Sequence, residues 1–532
     1  MSATRAMSAL TGTPALVRLA MRTDRIRLTV WVLALVGITG ASARAVASTY
    51  DTPAEIASYS RNLGSSPATV ATSGPPVALD QIGGIVVFET SLTVLIGVAL
   101  MAALTVVRHT RADEEAGRTE LLASTVVGRH ADTTAALLVA SGASILVGLG
   151  VALSVRGVNF PAPEAALYGA SVAAIGICFA AVATVAAQLM SQSRAATGTT
   201  LAVLAVAFGL RAIGDVRGSS LSWLSPIGWS QQIRLFDGDR WWPLLISLLV
   251  SGVLLGVAAW LTTRRDVGSG VLADRRGPGR ASRLLSSPLG LAWRLQRGTV
   301  LAWAVGLALL GVVFGSVAEQ LEGLVADNPT LEEYFAQTGG SITDAFFAVA
   351  LLFTGLGAAG FAVASTLRLH GEETSGRVGP VLAAAVSRRR LLLESLVVTV
   401  GGAVVLLTAG GLGIAIADAV VRDDWSSVVR LSSLAWVQLP AVLVLVGLAV
   451  LLTGWATRAT ALAWVAVGFA VVVGWLGGLL RMPSWISGLS PFEHLPQVPV
   501  EGVKVVPLAL LTLLAVALAA VGEAGFRRRD ID

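Results

Sequence analysis

The sequence predicts an all-α integral membrane protein of about twelve transmembrane helices, arranged as two parallel six-helix repeats. Three observations predict it. The 532 residues are 55% hydrophobic and only 13% charged, with a mean hydropathy of +0.76, whereas soluble domains carry about a quarter charged residues. Uncharged runs of about 20 residues recur along the chain, enough to cross a bilayer core. Four short motifs also occur twice, in the same order.

The first six candidate spans lie at roughly 28–47, 83–107, 132–155, 165–190, 195–213 and 242–262. A second set follows near 299–318, 343–367, 392–417, 431–456, 459–480 and 503–522. Ahead of each set, Pro14 to Leu28 and Pro288 to Gly298 mix apolar residues with arginine at helical spacing, as a helix lying in the cytoplasmic interface would, a plain basic flank being the alternative. Met1 to Arg27 lacks an apolar core with a small-residue cleavage site, so the first apolar run is expected as a retained anchor.

Charge sets the expected orientation. Arg18, Arg22, Arg25 and Arg27 precede the first span, and Thr263 to Gly298 holds eight arginines against Asp266 and Asp274. Glu319 to Asp344 is acidic with no basic residue. Both termini and the central connection are then expected in the cytoplasm of a bacterial plasma membrane. Trp223, Trp229, Trp241, Trp242 and Trp485 fall where an outer aromatic belt is expected, and the Ser-Pro starts at Ser225 and Ser490 open either a short re-entrant helix or a surface loop.

The repeats align residue by residue. Leu19-Ala20-Met21-Arg22 with Arg25 and Trp31 matches Leu291-Ala292-Trp293-Arg294 with Arg297 and Trp303. Asp113-Glu114-Glu115-Ala116-Gly117-Arg118 matches Glu372-Glu373-Thr374-Ser375-Gly376-Arg377. Leu224-Ser225-Pro226 with Gln232 recurs as Leu489-Ser490-Pro491 with Gln497, and Arg264-Arg265-Asp266-Val267 as Arg528-Arg529-Asp530-Ile531. Each unit starts and ends on one side, which makes the repeats parallel. The expected division is an interfacial helix over 1–27, a first repeat over 28–265 with a charged loop at 108–131, a linker over 266–290 rich in Arg, Gly, Ser and Pro, and a second repeat over 291–532 with a charged loop at 368–391.

Several functions are disfavoured. The arginines cluster at the ends of apolar runs, which is topology rather than a nucleic-acid face. Cys178 stands alone in an apolar stretch, and His109, His130, His370 and His494 lack ligand partners at metal-binding spacing, so neither a metal site nor a catalytic site is expected. Lys504 is the only lysine and follows no phosphate-binding loop, so any nucleotide hydrolysis is expected on another chain. The two charged loops remain. Asp113, Glu114, Glu115, Glu372 and Glu373 can meet basic grooves on a partner, Gly117 and Gly376 allow a tight turn, and Arg118 and Arg377 can fold back on the carboxylates. A solvated loop that only fixes topology is the plainer alternative.

The motif Glu-Glu-x-(Ala/Ser)-Gly-Arg after the second span, with Glu120-Leu121-Leu122-Ala123 and Gly128-Arg129 behind it, resembles the coupling-helix region of ABC-2 type exporter permeases. Six spans per half and the Arg-Arg-Asp endings are similar to that family, and the fused arrangement to actinobacterial polyketide-antibiotic and multidrug permeases of the tetronasin type. The resemblance implies export of amphipathic or apolar small molecules, such as drugs or antibiotics, or of a lipid or cell-wall precursor. It also implies a separate ABC ATPase subunit, in two copies, that carries ATP and Mg, with no cofactor in this chain. The second copy departs from the first, with Gly379-Pro380 in place of Glu120-Leu121. Gly270 to Arg280 resembles a loop motif of major facilitator carriers, which leaves an ion-gradient-driven carrier as the rival, although the motif lies between spans six and seven rather than two and three. Glu89 is the acid well inside a span and is the candidate cavity residue, against an outer-interface carboxylate as the alternative; Arg44 and Arg211 are expected to snorkel.

Overall fold

A computed structural model describes residues 9–529 apart from 51, 63–66, 124–125, 267, 273–278, 281, 283–284, 286, 327–340, 385 and 477–482. The middle of the expected linker, the acidic residues 327–340, Arg481, and Asp530 with Ile531 lie outside the described residues. No strand occurs among the described residues, and twelve helices are long and apolar enough to cross a membrane. They are α1 (Thr13–Thr49), α2 (Ile82–Glu115), α3 (Ala131–Arg156), α4 (Ala162–Leu189), α5 (Ser193–Val216) and α6 (Trp242–Arg264), then α7 (Pro288–Ser316), α8 (Thr343–Thr374), α9 (Arg388–Arg422), α10 (Val428–Trp455), α11 (Thr457–Gly474) and α12 (Val505–Arg528). The chain is a multi-pass membrane protein. It forms two compact units, Met1–Gly277 and Pro278–Asp532.

Within each unit the second and fourth helices are the most enclosed, α2 and α4 in the first and α8 and α10 in the second. Their uniformly apolar sequences fit burial on all sides. Around α4 pack α2, α3 and α6, with α1 against α3. In the second unit α7 packs on α9, α8 on α10 and α10 on α12. Small residues bring these backbones together, as expected where lipid supplies no hydrophobic drive between helices. A Cβ on Gly148 of α3 would sit 2.3 Å from the Gly169 carbonyl oxygen of α4, and one on Gly454 of α10 would sit 2.1 Å from that of Gly522 on α12.

Three details differ from expectation. Thr13–Thr49 is a single 37-residue helix, so the basic stretch expected as a separate interfacial helix runs unbroken into the first span; Pro288 likewise begins α7. Neither Arg nor Thr in that stretch breaks a helix, and the segment's only proline sits in its first turn, where it is tolerated. Arg211 does not snorkel: it is fully buried, 3.8 Å from Asp215, donates to the Val70 carbonyl and lies over the Phe208 ring. Trp229 is buried rather than in a belt, because its indole N–H donates to the Trp223 carbonyl at 2.6 Å, while Trp241, Trp242 and Trp485 remain exposed. The Ser225 start opens a short helix, Pro226–Gln231, whose residues Ile227 to Gln231 are all buried, with Ser225 Oγ accepting from the Ile227 and Gly228 N–H groups. Its repeat is a single 3-10 turn, Pro491–His494.

Candidate functional site

Both charge motifs are helix endings built to one plan. In the first, α2 continues through a π-helical turn, Arg108–Ala112, and ends at Glu115; the Gly117 N–H then donates to the Glu114 carbonyl at 3.0 Å. In the second, the Gly376 N–H donates to the Glu373 carbonyl at 2.9 Å and the Arg377 N–H to the Glu372 carbonyl at 3.0 Å. These are bonds of a Schellman ending, which needs a left-handed residue after the helix. Gly117 and Gly376 both supply it, each at φ 71°. A six-residue helix follows in each case, Arg118–Ala123 and Val378–Ala383, so Gly379-Pro380 does not abolish the second one.

The side chains then sort into two layers. The outer pair of each motif joins an exposed arginine to a partly buried acid: Arg118 meets Asp113 at 2.5 Å, and Arg377 meets Glu372. The Glu372 carboxylate, as hydrogen-bond acceptor and opposite charge, raises the pKa of the exposed Arg377 guanidinium. The inner acid is enclosed. Glu114 is 6% exposed and accepts from Arg265 at 2.7 and 3.1 Å and from the Gly268 N–H at 2.6 Å, with Arg111 at 3.0 Å. Arg111 and Arg265 also reach the end of α4, donating to the Ala187 carbonyl at 2.7 Å and to Gln188 Oε1 at 2.5 Å. Glu114 therefore ties the end of α2 to the ends of α4 and α6.

The second unit repeats this clamp. Glu373 is 9% exposed and pairs with Arg529, while His370 Nδ1 lies 3.7 Å from Glu373, three residues along as Arg111 is from Glu114. Arg265 and Arg529 occupy the same place in the repeated Arg-Arg-Asp motif, each the residue that ends the sixth helix of its unit. A carboxylate near a helix C-terminus is unfavourable with the helix dipole, whereas a cation there is favoured, so the pairing of Glu114 with Arg265 relieves the first with the second. The two repeated motifs are thus two halves of one salt bridge, made twice.

The copies are not identical. Glu115 caps α5, accepting from the Ser193 N–H and hydroxyl, both at 2.6 Å, where the second motif has Thr374. Below the first motif, buried Asp24 of α1 meets His109 at 2.9 Å and Arg108 at 3.0 Å. Its aligned residue, Gln296, instead accepts from Ser365, which also bonds Thr399 at 2.6 Å. Among the residues the first loop presents to solvent are Arg118, Glu120, Leu121, Val126 and Arg129.

Glu89 stands elsewhere, on the opposite end of α2. It is exposed and accepts from Tyr59 Oη on the short helix Pro53–Asn62. Tyr59 is buried, edge-on to Tyr50 and Phe88. Burial, with the Glu89 charge beside it, pushes the Tyr59 pKa well up, so the phenol keeps its proton.

Sequence reasoning named the motif acids but missed their partners Arg265, Arg529, Arg111 and Ser193, and it missed Asp24 beside His109 and Tyr59 beside Glu89. A signal was present for two of them, since the Arg-Arg-Asp motif repeats in step with the acidic one. Among the described residues no group of three or more His, Cys, Asp or Glu side chains could hold a metal ion.

The family profile of the Multidrug efflux system permease Rv1217c, C-terminal domain, matches residues 285–527. Over 530 residues, 98% of this chain and 96% of the relative, the sequence is 42% identical to the Multidrug efflux system permease protein Rv1217c of Mycobacterium tuberculosis.

Proposed function

Because this chain belongs to the multidrug efflux permease family, we propose that it is the membrane-spanning subunit of an ABC-2 type exporter, driven by a separate ATPase. The ATPase, in two copies, binds ATP and Mg, and the cargo is an amphipathic or apolar small molecule. The carrying observation is the clamp made twice, Glu114 with Arg265 and Glu373 with Arg529. A motor with two protomers needs one handle per half, and each clamp joins its handle to the sixth helix of its own unit. In this reading the short helices after Gly117 and Gly376 are the surfaces the ATPase pushes, with exposed Leu121 and Arg118 in contact with it. The buried acids transmit the push. Both motif ends then face the cytoplasm, and Glu89 lies toward the outer side, where a carboxylate beside tyrosine rings suits a cationic or hydrogen-bonding cargo.

Affinity purification from native membranes, followed by a drug-stimulated ATPase assay, tests this. A stoichiometric ATPase should co-purify with wild type and with Glu114→Gln/Glu373→Gln, but the double variant should lose drug-stimulated hydrolysis at least ~10-fold, about 1.4 kcal/mol of coupling. Leu121→Asp should weaken co-purification itself. If the chain purifies alone and moves drug in response to a proton gradient, the reading fails.

A further inference from the structure

On α1, Arg18, Arg22 and Arg25 are spaced four and three residues apart, so they share one stripe of the helix. All three are exposed, and none makes an ion pair among the described residues. Several other arginines at this end of the first unit are paired with acids, Arg27 and Arg108 with Asp24, Arg118 with Asp113, and Arg111 and Arg265 with Glu114. The stripe is thus a concentration of unopposed positive charge.

Directly below it, α1 and α3 part to leave a groove of ≈ 590 Å³. Its α1 wall runs from Val17 and Met21 past Arg25 to Leu33, and Leu138 and Leu146 of α3 form the other wall. Leu33, Leu138 and Leu146 are each more than half exposed. The floor is open because Gly142 has no side chain and nothing lies within 4 Å of where its Cβ would be. From Arg25 to Leu33 the helix rises about 12 Å, the depth of most of one leaflet.

We propose that this groove binds an anionic phospholipid, with its phosphate on Arg18, Arg22 and Arg25 and one acyl chain in the furrow between α1 and α3. Charge decides the occupant. A guanidinium stripe favours a phosphate bearing net negative charge, through paired N–H donors, over a zwitterionic headgroup whose own ammonium opposes it. Below Arg25 the furrow is lined by apolar residues apart from Thr29, so an acyl chain fills it without stranding a charged group.

Native mass spectrometry of the purified permease from micelles doped with phosphatidylglycerol or phosphatidylcholine tests the site, with thermal stability as a second readout. Wild type should retain phosphatidylglycerol preferentially and be stabilised by it. Arg18→Gln/Arg22→Gln/Arg25→Gln should weaken retention about fivefold per guanidinium, on the order of a hundredfold in all, and the matching lysine variant should recover most of it. Gly142→Leu should fill the furrow and reduce retention with every arginine in place and no loss of thermal stability. Equal retention of the two lipids by wild type, undiminished retention by the glutamine variant, or full retention by Gly142→Leu would each overturn the proposal. So would glycerol phosphate matching the lipid's stabilisation, since the site would then hold an anion without a chain.

Discussion

At the residue scale, Glu114 shows how burial changes the meaning of a charge. In an exposed loop its attraction to Arg265 would be worth a few tenths of a kcal/mol. At 6% exposure, against an arginine at 13%, losing one partner strands the other. Arg265→Ala should therefore cost about 3 kcal/mol in detergent unfolding, and Arg529→Ala less, about 1 to 2 kcal/mol, because Arg529 is more exposed and Glu373 has fewer donors around it. Equal losses would mean that the extra donors around Glu114 contribute nothing. Tyr59→Phe removes a hydrogen bond to a carboxylate and should cost about 1 kcal/mol. The Tyr59 pKa is raised on folding, so its contribution is full below the ordinary tyrosine value of about 10 and fades only as pH climbs through the higher folded value. The wild-type advantage over Tyr59→Phe should accordingly stay level from neutral pH to about 9, and a decline within that window would contradict the assignment.

At the element scale, the endings of α2 and α8 carry the site. Both rest on a glycine at φ 71°, and at both positions a Cβ would touch nothing. The cost of Gly117→Ala or Gly376→Ala is then purely one of backbone, about 1 to 2 kcal/mol, with asparagine milder than alanine. Thermal melts of the four variants check the order. The reverse order would point to an unseen contact rather than a left-handed requirement. The continuity of α1 belongs to the same scale. At 1.5 Å per residue its 37 residues extend about 55 Å, well beyond a hydrocarbon core of about 30 Å, so its basic first turns project out of the core and present the arginine stripe.

At the scale of the whole molecule, the order of spans fixes which loops share a side, and the arginine bias proposes which side that is. Cys178 is fully buried, so a Cys178→Ser background allows single-cysteine mapping. Val126→Cys, in the first charged loop, should react with an impermeant maleimide only after the cytoplasmic face is opened. Arg217→Cys, just past the far end of α5, should react from outside in intact cells. Labelling in the opposite sense would invert the topology and with it the placing of the ATPase.

Twelve spans and the positions of the two charged motifs were legible in the sequence, because hydropathy and spacing are local properties that a span of about 20 residues displays unaided. So was the requirement for glycine at Gly117 and Gly376, as a tight turn. What the motif acids do was not legible. Glu114 and its arginine stand 151 residues apart, and Glu373 and its arginine 156. Only the packing of α2 and α6 on α4, and of α8 and α12 on α10, decides that these carboxylates turn inward to bind their own chain. The same packing buries Arg211 and Trp229, which by composition belong at an interface. Sequence alone determined where charge must leave the bilayer; tertiary structure decided which charges remain for a partner, because neutralisation depends on what lies within a few ångströms in space and not on what lies nearby in the chain.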